Sequence, residues 1–178
     1  MATVILRPSA QYGPSGLFNN ESGSGWSAAK INDSSNSTYI YNAAQNQDFT
    51  VAMDNTSGLS GATFNNFVVT AIFLKHSAKQ ANGKFEVEIG DSSSITTFGS
   101  IADTVFVTTN TTATTISATA INFGGSVGSS DVDDMRVKVT TTGGTQVRLF
   151  ELYVTVDYTA ASSGYGNDVN GVASANIA

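Results

Sequence analysis

The sequence predicts an all-β protein, a jelly-roll-like antiparallel β-sandwich followed by an extended C-terminal arm. Apolar and polar residues alternate in several segments, as they do in strands with one buried face. No segment combines a sustained apolar repeat at helical spacing with a helix cap. Clusters of Gly, Ser, Asn and Asp divide the chain into about eight or nine strands, and the jelly roll is a common eight-stranded sandwich.

The first half of the chain contains four predicted strands. Residues 3–7 form a short apolar strand that ends at Arg7 and Pro8, and residues 38–41 and 49–53 form two further strands. Residues 64–76 carry apolar groups on both faces, which is typical of a strand covered on its outer side by a loop or another subunit. A buried helix has the same pattern, but the β-branched residues and Phe favour the strand.

The second half contains the predicted strands 84–89, 104–108, 114–121 and 135–139, and a long final strand over residues 150–158. Asn82-Gly83 is a typical turn sequence and is expected to precede the strand at 84–89. In the final strand an apolar set alternates with a mainly polar one, and its members are Phe150, Leu152, Val154, Val156 and Tyr158. This alternation predicts that the five share one face.

The strand pattern stops near residue 160, which predicts a sandwich domain at residues 1–159 and an arm at residues 160–178. The arm is small, polar and Gly-rich, with too few apolar groups to form a core of its own. We expect it to lie on a neighbouring subunit.

The composition excludes several classes of protein. Cysteine is absent, so disulfides, thiolate metal sites and a cysteine nucleophile are excluded. The net charge of −6 argues against nucleic-acid binding, and no apolar stretch is long enough to span a membrane. Charged residues make up only 12% of the chain, about half the usual share, which favours flat polar faces suited to packing against other protein.

Candidate catalytic groups are few, and we expect neither an enzyme nor a cofactor. The one histidine is His76, and the sequence has no Gly-X-Ser-X-Gly motif that would supply a serine nucleophile for a catalytic triad. Glu86 and Glu88 share a strand face instead of facing each other across a bond, as glycoside hydrolysis requires. The acidic residues at 131, 133 and 134 fit a charged strand start, with a structural calcium ion as the alternative.

Three aromatic residues could stack on sugar rings. Trp26 follows a Gly-rich stretch, and Tyr39 and Tyr41 are spaced to share one strand face with Ile40 on the other. The alternative for Trp26 is that it plugs the end of the sandwich, because a tryptophan in a small domain is usually buried. We therefore name Trp26, Tyr39 and Tyr41 as candidate glycan contacts.

Short motifs resemble β-sandwich domains of phage virion proteins. They are the opening strand ending in Leu6-Arg7-Pro8, then Gly25-Trp26 and Tyr39-Ile40, and the final strand from Arg148 to Tyr158. The tail Asn-Gly-Val-Ala-Ser-Ala-Asn-Ile-Ala at 170–178 is similar to units near the C-termini of virion proteins from marine phages. The resemblance implies a structural role in the particle and transfers no catalytic residue.

We therefore expect a non-enzymatic capsid decoration or cement protein that is located in the virion and made in the host cytoplasm. The absence of an export signal at the N-terminus supports that location. The expected partners are the major capsid protein or other virion proteins, and a homo-oligomer, guessed to be a trimer, with candidate contacts at Phe67, Val69, Phe73, Val172 and Ile177. The alternatives are a tail, fibre or neck component, or a carbohydrate-binding module for host recognition.

Overall fold

The protein is described by a computed structural model. It covers residues 1–12, 18–20, 25–35, 37–42, 44, 47–56, 58–75, 81–89, 96–100, 104–106, 114–117, 121–122, 127–142 and 147–161. For residues 20, 73–75, 81–89, 96–100, 104–106, 114, 116–117, 121–122 and 141–142 it covers the backbone alone. The described residues form two antiparallel sheets that pack face to face, which confirms the all-β sandwich.

The first sheet contains seven strands within the described part of the chain. The strands are β1 (Ala2–Leu6), β3 (Phe18–Asn20), β4 (Ile40–Asn42), β6 (Thr63–Lys75), β10 (Thr114–Ser117), β11 (Ile121–Asn122) and β13 (Val147–Thr159). The central strands are β6 and β13, with β10 and β11 on one side and β4, β3 and β1 on the other.

The second sheet contains six described strands, which are β2 (Pro8–Tyr12), β5 (Gln47–Met53), β7 (Ala81–Ile89), β8 (Thr96–Ser100), β9 (Thr104–Phe106) and β12 (Arg136–Thr142). Their order is β2-β5-β12-β7-β8, and β9 is also paired to β7. Several strand connections lie outside the described ranges, and the jelly-roll topology stays a prediction.

The chain passes from one sheet to the other at Arg7. Strand β1 ends at Leu6 in the first sheet, and β2 begins at Pro8 as an edge strand of the second sheet. Proline lacks the backbone N–H that a central ladder needs, so the first position of an edge strand suits it. Pro8 therefore ends one strand, as the sequence predicts, and also begins another that the sequence analysis missed.

The two longest strands, β6 and β13, form the central ladder of the first sheet. Ala71 pairs with Leu152 and Val69 pairs with Val154, and all four residues are completely buried. The preference for a strand over a helix at residues 64–76 is thus confirmed. Full burial of one such apolar side chain stabilises the fold by about 1.5–3 kcal/mol.

A β-bulge in this ladder changes which side chains of β13 face the core. The register between β13 and β6 shifts between Leu149 and Glu151, so Phe150 has no partner in the ladder. Leu149 therefore joins Leu152, Val154 and Val156 in the core cluster, and Phe150 is not a member of that cluster. The predicted strict alternation from Phe150 was wrong at this point, since a bulge inserts one extra residue.

The core lies between the two sheets. The second sheet contributes Phe49, Val51 and Met53 from β5 and Val137 and Val139 from β12, all at most 2% exposed. Their neighbours along the strands face outward, as in the ion pair between Lys138 and Asp48 at 2.9 Å. The core therefore follows the period-2 pattern seen in the sequence at these two strands.

Two local predictions need correction. Asn82-Gly83 is not a turn, because both residues lie within β7 and pair with Thr142 and Thr141 of β12. The acidic residues near 131 do not begin a strand: Asp131 and Asp133 lie in the short helix α1 (Ser129–Asp133), and Asp134 is its C-cap. A second short element, a 3₁₀ helix, spans Ala28–Ile31. Within the described ranges, no helix has the length and apolar content needed to cross a membrane.

Replacing Leu152 by Ala should lower the free energy of unfolding by about 2–5 kcal/mol, because it opens a cavity between the sheets. Ile5, also aliphatic but 54% exposed on β1, is the matched control. Its Ala variant should stay within about 0.5 kcal/mol of the wild type. Urea titrations followed by the fluorescence of the single tryptophan measure both values. Equal losses for the two variants would contradict the assigned faces.

Candidate functional site

The outer face of the first sheet carries the two tyrosines that the sequence singled out. Ile40 of β4 is completely buried, whereas Tyr39 and Tyr41 on either side of it are partly exposed. Their ring centroids lie 6.3 Å apart. The prediction that these two tyrosines share one face opposite Ile40 is therefore confirmed.

Strand β13 adds two side chains that complete a cluster with the tyrosines. Arg148 pairs across the ladder with Tyr41, and its guanidinium carbon lies 4.6 Å from the centroid of the Tyr39 ring. Phe150, the bulge residue, meets the same ring edge-on at 5.5 Å between centroids. We call Tyr39, Tyr41, Arg148 and Phe150 the tyrosine–arginine cluster.

The Arg148 side chain is held by stacking alone among the described residues. It makes no hydrogen bond and no ion pair with them. Stacking on the ring contributes about 0.5–1 kcal/mol at such a partly exposed position. The planar guanidinium is thus oriented on the Tyr39 ring, while its five N–H donors have no acceptor in the described part of the protein.

A buried carboxylate fixes the loop that leads into Tyr39. Glu151 is 4% exposed, and its Oε2 accepts a hydrogen bond from Arg7 Nη1 at 3.0 Å. Its Oε1 accepts a hydrogen bond from the backbone N–H of Ser35 at 2.8 Å. Both carboxylate oxygens are therefore engaged in holding β1 and the loop before β4 against β13.

Asp33, an exposed residue of the same loop, also stabilises it. Its Oδ1 accepts a hydrogen bond from Ser35 N at 2.9 Å, and its Oδ2 accepts one from the hydroxyl of Thr38. An aspartate that binds backbone two residues onward forms an Asx turn, which favours this short loop. Since Thr38 directly precedes Tyr39, the turn helps to fix where the tyrosine ring lies.

Burial raises the pKa of Glu151 above its ordinary value of 4.5. The hydrogen bonds from Arg7 and Ser35 and the charge of Arg7 lower it, and the charge of Asp33 raises it further. Desolvation is the largest of these effects, so the carboxyl group prefers its neutral form more than an exposed glutamate does.

Trp26 does not belong to the cluster, and its assignment as a glycan contact was wrong. It is 5% exposed and packs in the core with its ring centroid 5.0 Å from that of Phe49. Phe18 meets Phe49 edge-on at 4.7 Å. The 3₁₀ helix that follows buries Ala28 and Ile31, which draws this segment into the sandwich. The alternative that Trp26 plugs the sandwich is confirmed.

The candidate partner contacts on β6 also need correction. Phe67 and Val69 are at most 1% exposed and belong to the core, so their side chains offer no surface to a partner. Period-2 geometry turns both inward, where they oppose Val156 and Val154. Phe73 lies in β6, but its side chain is outside the described part, and Val172 and Ile177 lie outside the described residues altogether.

Two of the three acidic residues near 131, Asp131 and Asp133, have structural partners. Asp133 Oδ1 accepts a hydrogen bond from the Thr56 hydroxyl at 2.6 Å, and Asp131 Oδ2 accepts one from Gly128 N at 2.9 Å. No group of three or more His, Cys, Asp or Glu in the described ranges could hold a metal ion. His76 lies outside those ranges.

Sequence reasoning missed Arg148 and Phe150. Arg148 could have been found from its position next to the buried Leu149. Because neighbouring side chains of a strand alternate in direction, Arg148 faces outward beside Tyr41. Phe150 could not, because strict alternation would have placed it in the core. A similar pair lies on the outer face of the second sheet, where the guanidinium of the buried Arg136 sits 3.5 Å from the Tyr12 ring centroid.

The sequence matches no protein-family model and no curated protein. Among solved structures it is similar to the CBM32 of AlyQ in complex with 4,5-unsaturated mannuronic acid. The two share 17% identity at a TM-score of 0.40, over 84% of this chain and 98% of the other. So distant a likeness carries no argument about function.

Replacing Glu151 by Gln should change how stability depends on pH. The folded protein holds the Glu151 proton more tightly than the unfolded chain does, because the folded pKa is raised. The stabilisation from Glu151 is therefore full below about pH 4.5 and is lost as the pH rises through the raised folded-state pKa. Gln cannot ionise, so this loss should be absent from the variant.

The measurement is a urea titration of both proteins from about pH 4 to about pH 7. The stability of the wild type relative to Glu151→Gln should fall over this range and then level off. Glu151→Ala is the control: it cannot ionise either but removes both acceptors, so it should be about 1–3 kcal/mol less stable than Glu151→Gln at each pH. A constant difference between wild type and the Gln variant would refute the assigned pKa shift.

Proposed function

We propose that this chain is a non-catalytic glycan-binding β-sandwich protein, with the tyrosine–arginine cluster as its binding platform. The observation that carries the proposal is the pair of partly exposed rings of Tyr39 and Tyr41, 6.3 Å apart on one outer face. Pyranose rings present a face of C–H bonds that packs on an aromatic face. Two adjacent tyrosines offer such faces together with hydroxyl groups that can bond to sugar hydroxyls.

The rigidity of the platform supports the proposal. Phe150 and Arg148 pack on Tyr39, and Glu151 and Asp33 fix the loop that precedes it. Side chains that are ordered before binding lose little conformational entropy when the ligand arrives. The free energy of weak stacking contacts can then contribute to affinity, because little of it is needed to offset the entropy lost when side chains become ordered.

The hydrogen bonding of Glu151 supports a binding role over a catalytic one. This buried carboxylate directly follows Phe150 in sequence, and Arg7 and Ser35 occupy both of its oxygens. Its raised pKa has a structural cause in burial beside the loop. A general acid must reach the bond that it protonates. The Glu151 carboxylate instead binds Arg7 and the loop before β4.

Replacing Tyr41 or Tyr39 by Ala should reduce glycan affinity about ten-fold or more, equivalent to about 1.4 kcal/mol. The measurement is affinity electrophoresis on a panel of polysaccharides, followed by calorimetry with the best ligand. Tyr12→Ala is the matched control, since Tyr12 is a 40% exposed tyrosine beside an arginine on the opposite outer face. The platform is rejected if the Tyr12 variant loses as much affinity as the Tyr41 variant.

A second candidate is attachment to a phage particle as a capsid decoration protein, through the major capsid protein or another virion protein and as a homo-oligomer such as a trimer. One edge of β1 supports it. Strand β1 pairs with β13 on one side and with no described strand on the other, and its Ile5 is 54% exposed. A partner strand added at such an edge gains main-chain hydrogen bonds with little demand on sequence.

Removing residues 162–178 should weaken attachment to purified particles if the arm links subunits. The truncation keeps Ala161, which packs close to Gly61, so the urea midpoint should stay unchanged. Quantitative mass spectrometry of particles incubated with each protein gives the copy number. Equal occupancy by the truncated and full chains would refute the linking role of the arm.

A further inference from the structure

We propose that the ligand of the tyrosine–arginine cluster is an acidic glycan whose carboxylate or sulfate group binds the guanidinium of Arg148. This inference rests on the proposed glycan-binding function and specifies the chemical class of the ligand. It depends on a different observation, the state of the Arg148 side chain.

Arg148 is a partly exposed arginine with no carboxylate partner among the described residues, and the buried Arg136 shares that lack. Arg7 is paired with Glu151 at 3.0 Å, and Lys138 is paired with Asp48 at 2.9 Å. The one described interaction of the Arg148 side chain is its stacking on Tyr39. Its positive charge is therefore left without an opposite charge among the described residues.

The geometry around Arg148 suits an anionic sugar. Stacking on Tyr39 covers one face of the guanidinium and leaves its N–H edges as the groups that can meet a ligand. Those edges form a planar fork that matches two oxygens of a carboxylate or sulfate. Tyr41 lies directly across the ladder from Arg148, so a sugar ring on Tyr41 would place an acidic substituent within reach of the fork.

The overall charge of the protein makes this arginine decisive. With a net charge of −6, the chain gives a polyanion no general attraction. Binding of an acidic glycan then depends on a local contact that compensates for the repulsion. Removal of the Arg148 charge should therefore affect acidic ligands strongly and neutral ligands little.

The test uses the full chain and four purified probes: an oligogalacturonate, its fully methyl-esterified form, a sulfated galactan oligosaccharide and the unsulfated galactan oligosaccharide. We expect the esterified or unsulfated form to bind about 10–100-fold more weakly than its acidic counterpart, as for lost hydrogen bonds to a charged group. Preference for oligogalacturonate identifies the anion as carboxylate, and preference for the sulfated galactan identifies it as sulfate.

Arg148→Gln should lower affinity for the acidic probe by the same factor and leave neutral probes within about two-fold of the wild type. Arg148→Lys, which keeps the charge without the fork, should restore part of the loss. Lys138→Gln removes one charge from the opposite face and is the matched control, expected to bind as the wild type does. Urea midpoints confirm that each variant is folded.

The outcomes separate the two proposals. If neutral probes bind as tightly as acidic ones and depend on Tyr41, the glycan-binding function stands and the acidic ligand is refuted. Equal losses in Arg148→Gln and Lys138→Gln would also refute it, since only general charge would then matter. Binding of none of the four probes overturns the acidic-glycan inference, while the wider polysaccharide panel decides the glycan-binding function.

Discussion

The ladder between β6 and β13 is the constraint on which the rest of the structure depends. These 13-residue strands form the centre of the first sheet, and the inward side chains of that ladder face the core residues of the second sheet. The bulge at Phe150 shifts the phase of β13 by one residue. Because side chains alternate with a period of two, this single shift reassigns Leu149 to the core and Phe150 to the cluster with Tyr39.

The same bulge links the fold to the candidate site. It brings Phe150 and Glu151, which are adjacent in sequence, to different partners around the loop before β4. Phe150 packs on Tyr39, while Glu151 binds Arg7 at the crossing between the sheets and Ser35 in the loop. The surface tyrosines are thus positioned by groups that also join β1, β4 and β13, so the platform inherits the rigidity of the sheet.

Burying Glu151 has an energetic cost, which its raised pKa records. The carboxylate is retained at a position where a neutral side chain would avoid desolvation. Its hydrogen bonds fix the loop conformation that precedes Tyr39, which an apolar replacement could not do. Burial of the charge is unfavourable, whereas the hydrogen bonds to Arg7 and Ser35 offset part of that penalty and define the loop geometry.

The sequence by itself determined the strands with regular alternation, the all-β class, and the common face of Tyr39 and Tyr41, because these follow from local period-2 geometry. Only the tertiary structure decided that Trp26 is buried, that Pro8 begins a strand, and that Arg148 and Phe150 join the tyrosines. The burial of Trp26 depends on its packing against Phe49 of β5, and these two residues are far apart in sequence. The bulge depends on how β13 pairs with β6, and local patterns contain no information about such a register.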